Sequence, residues 1–207
     1  RGDWGQKWNL AGVYWFRGAM KSSAVRAWAL REVLHKPNHS IRYFASSMDN
    51  ARQNFLRPLQ LLFTDAHGAE FRRWLYRHRL PTNFEGWGEE TMPLVQTDAK
   101  APIALTIKGV SSKREGYHGN DLILDDPEGA EAEKSNVEQV DALEFVSSMT
   151  PLLINPAVGR TVLVGTVHGP DPLAYRILYE NLDPSVGAPE GPIEWANKNR
   201  TWKISWK

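Results

Sequence analysis

The segment Phe16-Arg-Gly-Ala-Met-Lys-Ser-Ser23 carries the residue types that a nucleotide phosphate requires. It follows a short apolar run, Ala11 to Phe16, and opens an amphipathic stretch. Backbone N–H groups and the dipole at a helix start can hold phosphate oxygens. The Lys21 ammonium can reach the β and γ oxygens of ATP, and the Ser22 hydroxyl can ligate Mg²⁺. Arg17, Gly18, Ala19, Met20 and Ser23 would complete the cradle. Met20 stands where a glycine usually precedes such a lysine. It must keep φ negative or accept strain of ~1–3 kcal/mol, so weak binding of ATP is expected. The same residues also suit an ordinary strand-turn-helix with an exposed lysine.

A second segment, Asp121-Leu-Ile-Leu-Asp-Asp-Pro-Glu128, is an apolar strand that ends in two carboxylates. In open parallel α/β folds, ligands bind at that strand edge. Asp125 would enter the Mg²⁺ shell and Asp126 would orient the attacking water, with Glu128 as the alternative base. Asp-Asp-Pro is equally good turn chemistry. A third segment, Leu163-Val-Gly-Thr-Val-His168, runs from a strand into Gly165-Thr166, where a small hydroxyl residue can meet a γ-phosphate or its water. Taken in order, the three segments point to a nucleotide hydrolase.

The elements that must position these residues alternate. Strands are expected at Ala11–Phe16, Ile41–Ala45, Ile103–Ile107, Asp121–Asp125 and Thr161–Gly165, with a further strand in the tail from Ile193 to Trp206. A helix is expected from Ser22 to Lys36, stopped before Pro37, and another from Met48 to about Phe63, capped by Ser46-Ser47. A polar helix should span about Ala130 to Met149, and a short one Pro172 to Tyr179. Such alternation predicts an α/β fold with a mostly parallel sheet flanked by helices. Residues 1–207 read as one domain, with Asp183 to Pro192 as the best internal boundary. The stretch from Glu70 to Pro102 is less regular. Its cluster of Arg72, Arg73, Arg77, His78 and Arg79 with Trp74 and Tyr76 reads either as a phosphate-contacting patch or as a solvated helix face with both aromatics packed inward.

Composition removes several alternatives. The chain has no cysteine, which excludes a disulfide scaffold, a thiol nucleophile and any thiolate metal site. Lys plus Arg is 25 against 24 Asp plus Glu, so any contact with nucleic acid must come from a local patch. No apolar run approaches the ~18 residues of a membrane span. The opening Arg1-Gly-Asp-Trp4 reads as an internal piece of a longer chain.

The three segments together resemble the ATPase domain of the large terminase subunit of tailed bacteriophages, over about residues 11 to 182. In that family an arginine stands four residues before the phosphate-loop lysine, as Arg17 stands before Lys21, and acts as a finger toward the γ-phosphate. Gly116-Tyr-His-Gly-Asn-Asp-Leu-Ile-Leu-Asp-Asp-Pro127 resembles the stretch leading into the Walker B strand, and Gly165-Thr166 resembles the coupling motif. Met20 departs from the family's glycine, and Asp126 from its usual glutamate.

The resemblance implies a P-loop NTPase fold of the ASCE type with ATP and Mg²⁺ at the site. It also implies double-stranded DNA, a portal protein and a small terminase subunit as partners. The working form would be a homo-oligomeric ring in the cytoplasm of an infected bacterium, docked on a procapsid, with no membrane contact. The 41 residues after Thr166 are too few for the family's nuclease domain. Two other readings share parts of the pattern: another nucleic-acid translocase of the helicase type, and a degenerate module that binds without hydrolysis.

Overall fold

Ile41–Ala45 and Asp121–Asp125 are buried along their whole length, as strands covered on both faces must be. The computed structural model describes residues 10–14, 20–64, 68–77, 87–94, 97–98, 100, 101–110, 112, 116–127, 144–146, 148–155, 158–166, 193–197 and 200–204. Their strands are β1 (Leu10–Tyr14), β2 (Ile41–Ala45), β3 (Thr91–Met92), β4 (Leu105–Gly109), β5 (Asp121–Asp125), β6 (Arg160–Gly165), β7 (Ile193–Asn197) and β8 (Arg200–Ile204). They form one sheet in the order β3-β4-β2-β5-β6-β1-β8-β7. Every pairing from β4 to β8 is parallel, and only the edge strands β3 and β7 run antiparallel to their neighbours. The expected α/β architecture is therefore present.

The chain leaves β1 for β2 and later returns to insert β5 and β6 between them. In register, Tyr14 lies beside Gly165, and Val164 beside Asp125. The ends of the three chemistry-bearing segments thus share one edge of the sheet.

The first helix, α1 (Lys21–His35), buries Val25, Ala29, Leu30, Val33 and Leu34 and ends at Lys36, before Pro37. A second helical rod is built from α2 (Met48–Ala51), a π-helical turn (Arg52–Leu56) and α3 (Arg57–Thr64). The wide turn lets Ala51, Phe55, Leu56, Leu59 and Phe63 all face inward. These helices share one core with Ile41, Tyr43, Leu105, Ile107, Ile123 and Val164 of the sheet. On the other face, Phe44 meets Phe145 edge to face at 5.1 Å.

Several boundaries differ from expectation. The fourth strand is displaced to Leu105–Gly109, because Ile103 is exposed and Ala104 supplies the carbonyl that receives the Ile41 N–H. The tail is not one strand but the hairpin β7–β8, whose second arm pairs with β1. The irregular stretch contains α4 (Ala69–Arg77). There Leu75 is buried, whereas Trp74 is 40% exposed and stacks on Phe71, so the inward packing expected of Trp74 is wrong. Residues 144–146 of the expected polar helix are helical, but 148 and 149 are not, so the helix stops short of Met149; residues 130–143, the helix at 172–179 and the boundary at 183–192 lie outside the described residues. Among the described residues, no helix is long and apolar enough to cross a membrane.

Candidate functional site

Among the described residues, nothing caps the start of helix α1. Met20 occupies its N-cap position with φ 56° and ψ 23°, its side chain accepts nothing from the first turn, and that turn holds no acidic residue. The next helix shows the contrast, since Ser47 Oγ accepts from the Asn50 N–H. An uncapped helix start presents N–H donors and a positive dipole end, both of which attract an anion. Of the two courses open to Met20, the structure takes the strained one. Its side chain is 76% exposed, so no packing offsets the left-handed backbone.

Lys21 and Ser22, in the first turn, face the ends of β5 and β6. Lys21 Nζ donates to Thr166 Oγ1 at 2.7 Å. The Thr166 N–H donates to Asp126 Oδ1 at 2.7 Å, while the Asp126 N–H donates to the Val164 carbonyl at 2.8 Å. Asp126 is thereby pinned from both sides in a left-handed conformation, φ 42°. It also precedes Pro127, a position normally held extended. Two of the three non-glycine residues with positive φ among the described residues stand at this one edge.

Asp125 ends β5 and is buried. Tyr43, in the adjacent strand and on the same face, donates from its hydroxyl to Asp125 Oδ2 at 2.6 Å. The other oxygen, Oδ1, is buried and has no well-formed hydrogen bond among the described residues. Burial raises the Asp125 pKa above the ordinary carboxylate value; the Ser22 and Tyr43 hydroxyls oppose the rise, Asp126 adds to it and Lys21 opposes it. Burial also pushes the Tyr43 phenol well up, and the neighbouring Asp125 carboxylate pushes it further. The phenol therefore keeps its proton as the donor of this pair.

A buried carboxylate oxygen with no well-formed hydrogen bond among the described residues, on a carboxylate that a serine hydroxyl also reaches, gives a donor set of hard oxygens. It suits Mg²⁺, which is held by one or two protein oxygens and completes its shell with water and phosphate. On this observation Ser22 and Asp125 fit the ion. The structure also brings together Lys21, Asp126 and Thr166, with Met20 at the margin. Ser23 is not brought in: it is exposed and accepts from Arg26 at 2.7 Å. Arg17, Gly18, Ala19 and Glu128 lie outside the described residues. Sequence reasoning missed Tyr43. The available signal was a tyrosine inside a strand expected to be buried, whose hydroxyl must find a partner.

A second ionisable cluster lies at the opposite edge of the sheet. Glu32, His39 and Asp121 place three ligand atoms within 4.8 Å of one another. Arg160 already bridges both carboxylates, with NH2 at 2.7 Å from Glu32 and Nε at 3.0 Å from Asp121. Lys36 pairs with Glu32, and His39 Nε2 donates to Asp121 Oδ2 at 2.7 Å. Burial raises the Asp121 pKa, but His39 and Arg160 outweigh it and hold the group below its ordinary value. These carboxylates are neutralised by the protein's own cations.

No family model matches the chain, and no curated protein does. Among solved structures, it is similar to the N-terminal domain of the DNA packaging ATPase from bacteriophage phi29. The two share a fold. The TM-score is 0.52 at 15% identity, covering 94% of this chain and 89% of that domain. A likeness at this identity speaks for architecture; the chemistry rests on the residues gathered at the sheet edge.

Proposed function

We propose that this chain is an ATP-hydrolysing motor domain that drives double-stranded DNA into a viral procapsid. The observation that carries the reading is the meeting of Lys21, Ser22, Asp125, Asp126 and Thr166 at one sheet edge, although Lys21 and Thr166 lie 145 residues apart in the chain. The fold shared with a phage DNA packaging ATPase domain supports the same reading.

In this reading the open N-terminus of α1 holds the phosphates of ATP, and the Lys21 ammonium takes their β and γ oxygens. Ser22 and Asp125 hold Mg²⁺, which when bound neutralises charge on the phosphates as the bond breaks. Asp126, its carboxylate fixed through Oδ1, orients the attacking water. Thr166 lies between Lys21 and Asp126 and registers the state of the γ-phosphate. Arg17 acts as the arginine finger. The chain works in a ring of like subunits with the portal protein and the small terminase subunit, in the cytoplasm of an infected bacterium.

Steady-state ATP turnover, measured with and without double-stranded DNA, tests the proposal. Lys21→Ala and Asp125→Ala should each lower turnover by ~10²-fold or more while the chain stays folded. Arg17→Ala should keep affinity for a non-hydrolysable ATP analogue and lose ~10³-fold in turnover. Folded Lys21→Ala and Asp125→Ala variants at the wild-type rate would refute the site. A wild-type chain that binds nucleotide without turnover would favour the non-hydrolysing module. DNA stimulation with no response to procapsids would favour a helicase-type translocase.

A further inference from the structure

The Asp125 carboxylate is asymmetric: one oxygen is occupied by a neutral donor, and the other has no well-formed hydrogen bond among the described residues. Tyr43 produces that asymmetry. Its hydroxyl donates to Oδ2 at 2.6 Å, and its ring is fixed by burial and stacking. Tyr43 is 1% exposed, and its ring stacks on Phe55 at 4.0 Å and 17°. Phe55 belongs to the π-helical turn Arg52–Leu56, whose extra residue lets Phe55 and Leu56 point inward together. Arg26 of α1 donates to the Asn54 carbonyl in the same turn and so ties the turn to the helix that carries Ser22. The wide turn, the ring stack and the hydroxyl thus form one support behind Asp125.

We infer that Tyr43 is a positioning residue: it holds Asp125 Oδ2 so that Oδ1 is presented to a divalent cation, on the carboxylate that Ser22 also reaches. This rests on the proposed nucleotide site and adds a residue to it. A lysine or arginine at position 43 would neutralise the carboxylate and weaken its hold on a cation, as Arg160 does for Asp121 at the other edge. A neutral phenol orients the carboxylate and leaves its charge for the ion. Removing a partner that orients a metal ligand typically costs 10–100-fold in metal affinity.

The test is Mn²⁺ binding to the full chain saturated with ADP, followed by electron paramagnetic resonance, for wild type, Tyr43→Phe and Asp125→Ala. Tyr43→Phe deletes one oxygen and keeps the ring stack. Its Mn²⁺ affinity should fall ~10–100-fold, while its ADP affinity in EDTA stays at the wild-type value. Asp125→Ala should abolish the same Mn²⁺ signal. If Asp125→Ala loses Mn²⁺ and Tyr43→Phe keeps it, the role of Tyr43 is overturned and the site stands. If Asp125→Ala retains Mn²⁺, the cation site itself is wrong.

A measurement on the wild-type chain covers the case in which Tyr43→Phe does not fold. With tyrosine labelled at ¹³Cζ, the Tyr43 resonance should shift when Mg²⁺ is added to the ADP complex, because the carboxylate then shares its charge with the ion. An unmoved resonance at saturating Mg²⁺ would overturn the inference.

Discussion

Strand β5 carries an aspartate at each end, and the two are treated in opposite ways. Four residues of strand, ~13 Å, separate Asp121 from Asp125 and keep both on one face. Helix α1 lies along that face, and the ten residues from Ser22 to Glu32 cover ~15 Å, nearly the same span. Ser22 therefore reaches Asp125 at one end, while Glu32 joins Asp121 through Arg160 at the other. At the Asp121 end each negative group has a cationic partner, and the pKa values of Asp121 and Glu32 are lowered. At the Asp125 end a buried oxygen has no well-formed hydrogen bond among the described residues, and burial raises the pKa. One end of the strand stabilises the fold, and the other gives up stability to keep a charge available.

The backbone repeats the contrast. Asn38, beside the stabilising cluster, has φ 62°, but asparagine tolerates that region and its amide makes three hydrogen bonds. Its Oδ1 accepts from the Thr97 and Asp98 N–H groups, and its Nδ2 donates to Thr97 Oγ1. Met20, at the other edge, holds φ 56° with an exposed side chain and no such compensation. Uncompensated strain is expected where a loop is shaped for a ligand.

The largest effect should come from breaking the stabilising end. Arg160→Met leaves Glu32 and Asp121 buried without their shared cation, and stability at pH 7 should fall by about 3–5 kcal/mol. Because the folded pKa values of both carboxylates are lowered, their contribution is present above their unfolded values near pH 4 and is lost as pH falls through the folded ones. The deficit of Arg160→Met should therefore shrink between pH 7 and pH 3, as the orphaned carboxylates take up protons. Denaturant titrations at both pH values check this, and a deficit independent of pH would show that lost packing, including the Arg160 stack on Trp28, dominates.

A smaller effect separates the two left-handed residues. Met20→Gly should gain about 1 kcal/mol, since a glycine carries no penalty there. Asn38→Gly should lose a similar amount through its three hydrogen bonds. Thermal unfolding of both variants reads the difference. Two changes of the same sign would remove the claim that strain is compensated at one edge only.

Much of this arrangement was legible in the residues. The alternation of apolar runs and amphipathic stretches was enough for the parallel sheet, and Asp125 at the end of an apolar pentapeptide was enough to put it at the sheet edge. Partners set by distant strands were not legible. Tyr43 meets Asp125 because β5 inserts beside β2, and Arg160 meets Asp121 because β6 follows it in the sheet; neither adjacency leaves a local signal. The separation of the tail into β7 and β8 was missed because the alternation at Ile193–Trp195 and Trp202–Trp206 was read across the polar run Asn197–Thr201 between them, and the π-helical turn because its residues differ little from those of an ordinary helix. Trp74 was misplaced because an aromatic among arginines on a short helix has two faces to choose from.

On this reading the two ends of β5 divide stability from chemistry. One paired measurement tests it most directly: unfolding free energy and Mg²⁺-dependent ATP turnover for Asp121→Asn and Asp125→Asn. Asp121→Asn should lose stability and, where folded, keep turnover. Asp125→Asn should gain stability by about 1 kcal/mol, since it removes a charge held at a functional site, and lose ~10²-fold or more in turnover. Turnover lost at 121 and kept at 125, or stability lost equally at both, would contradict the account.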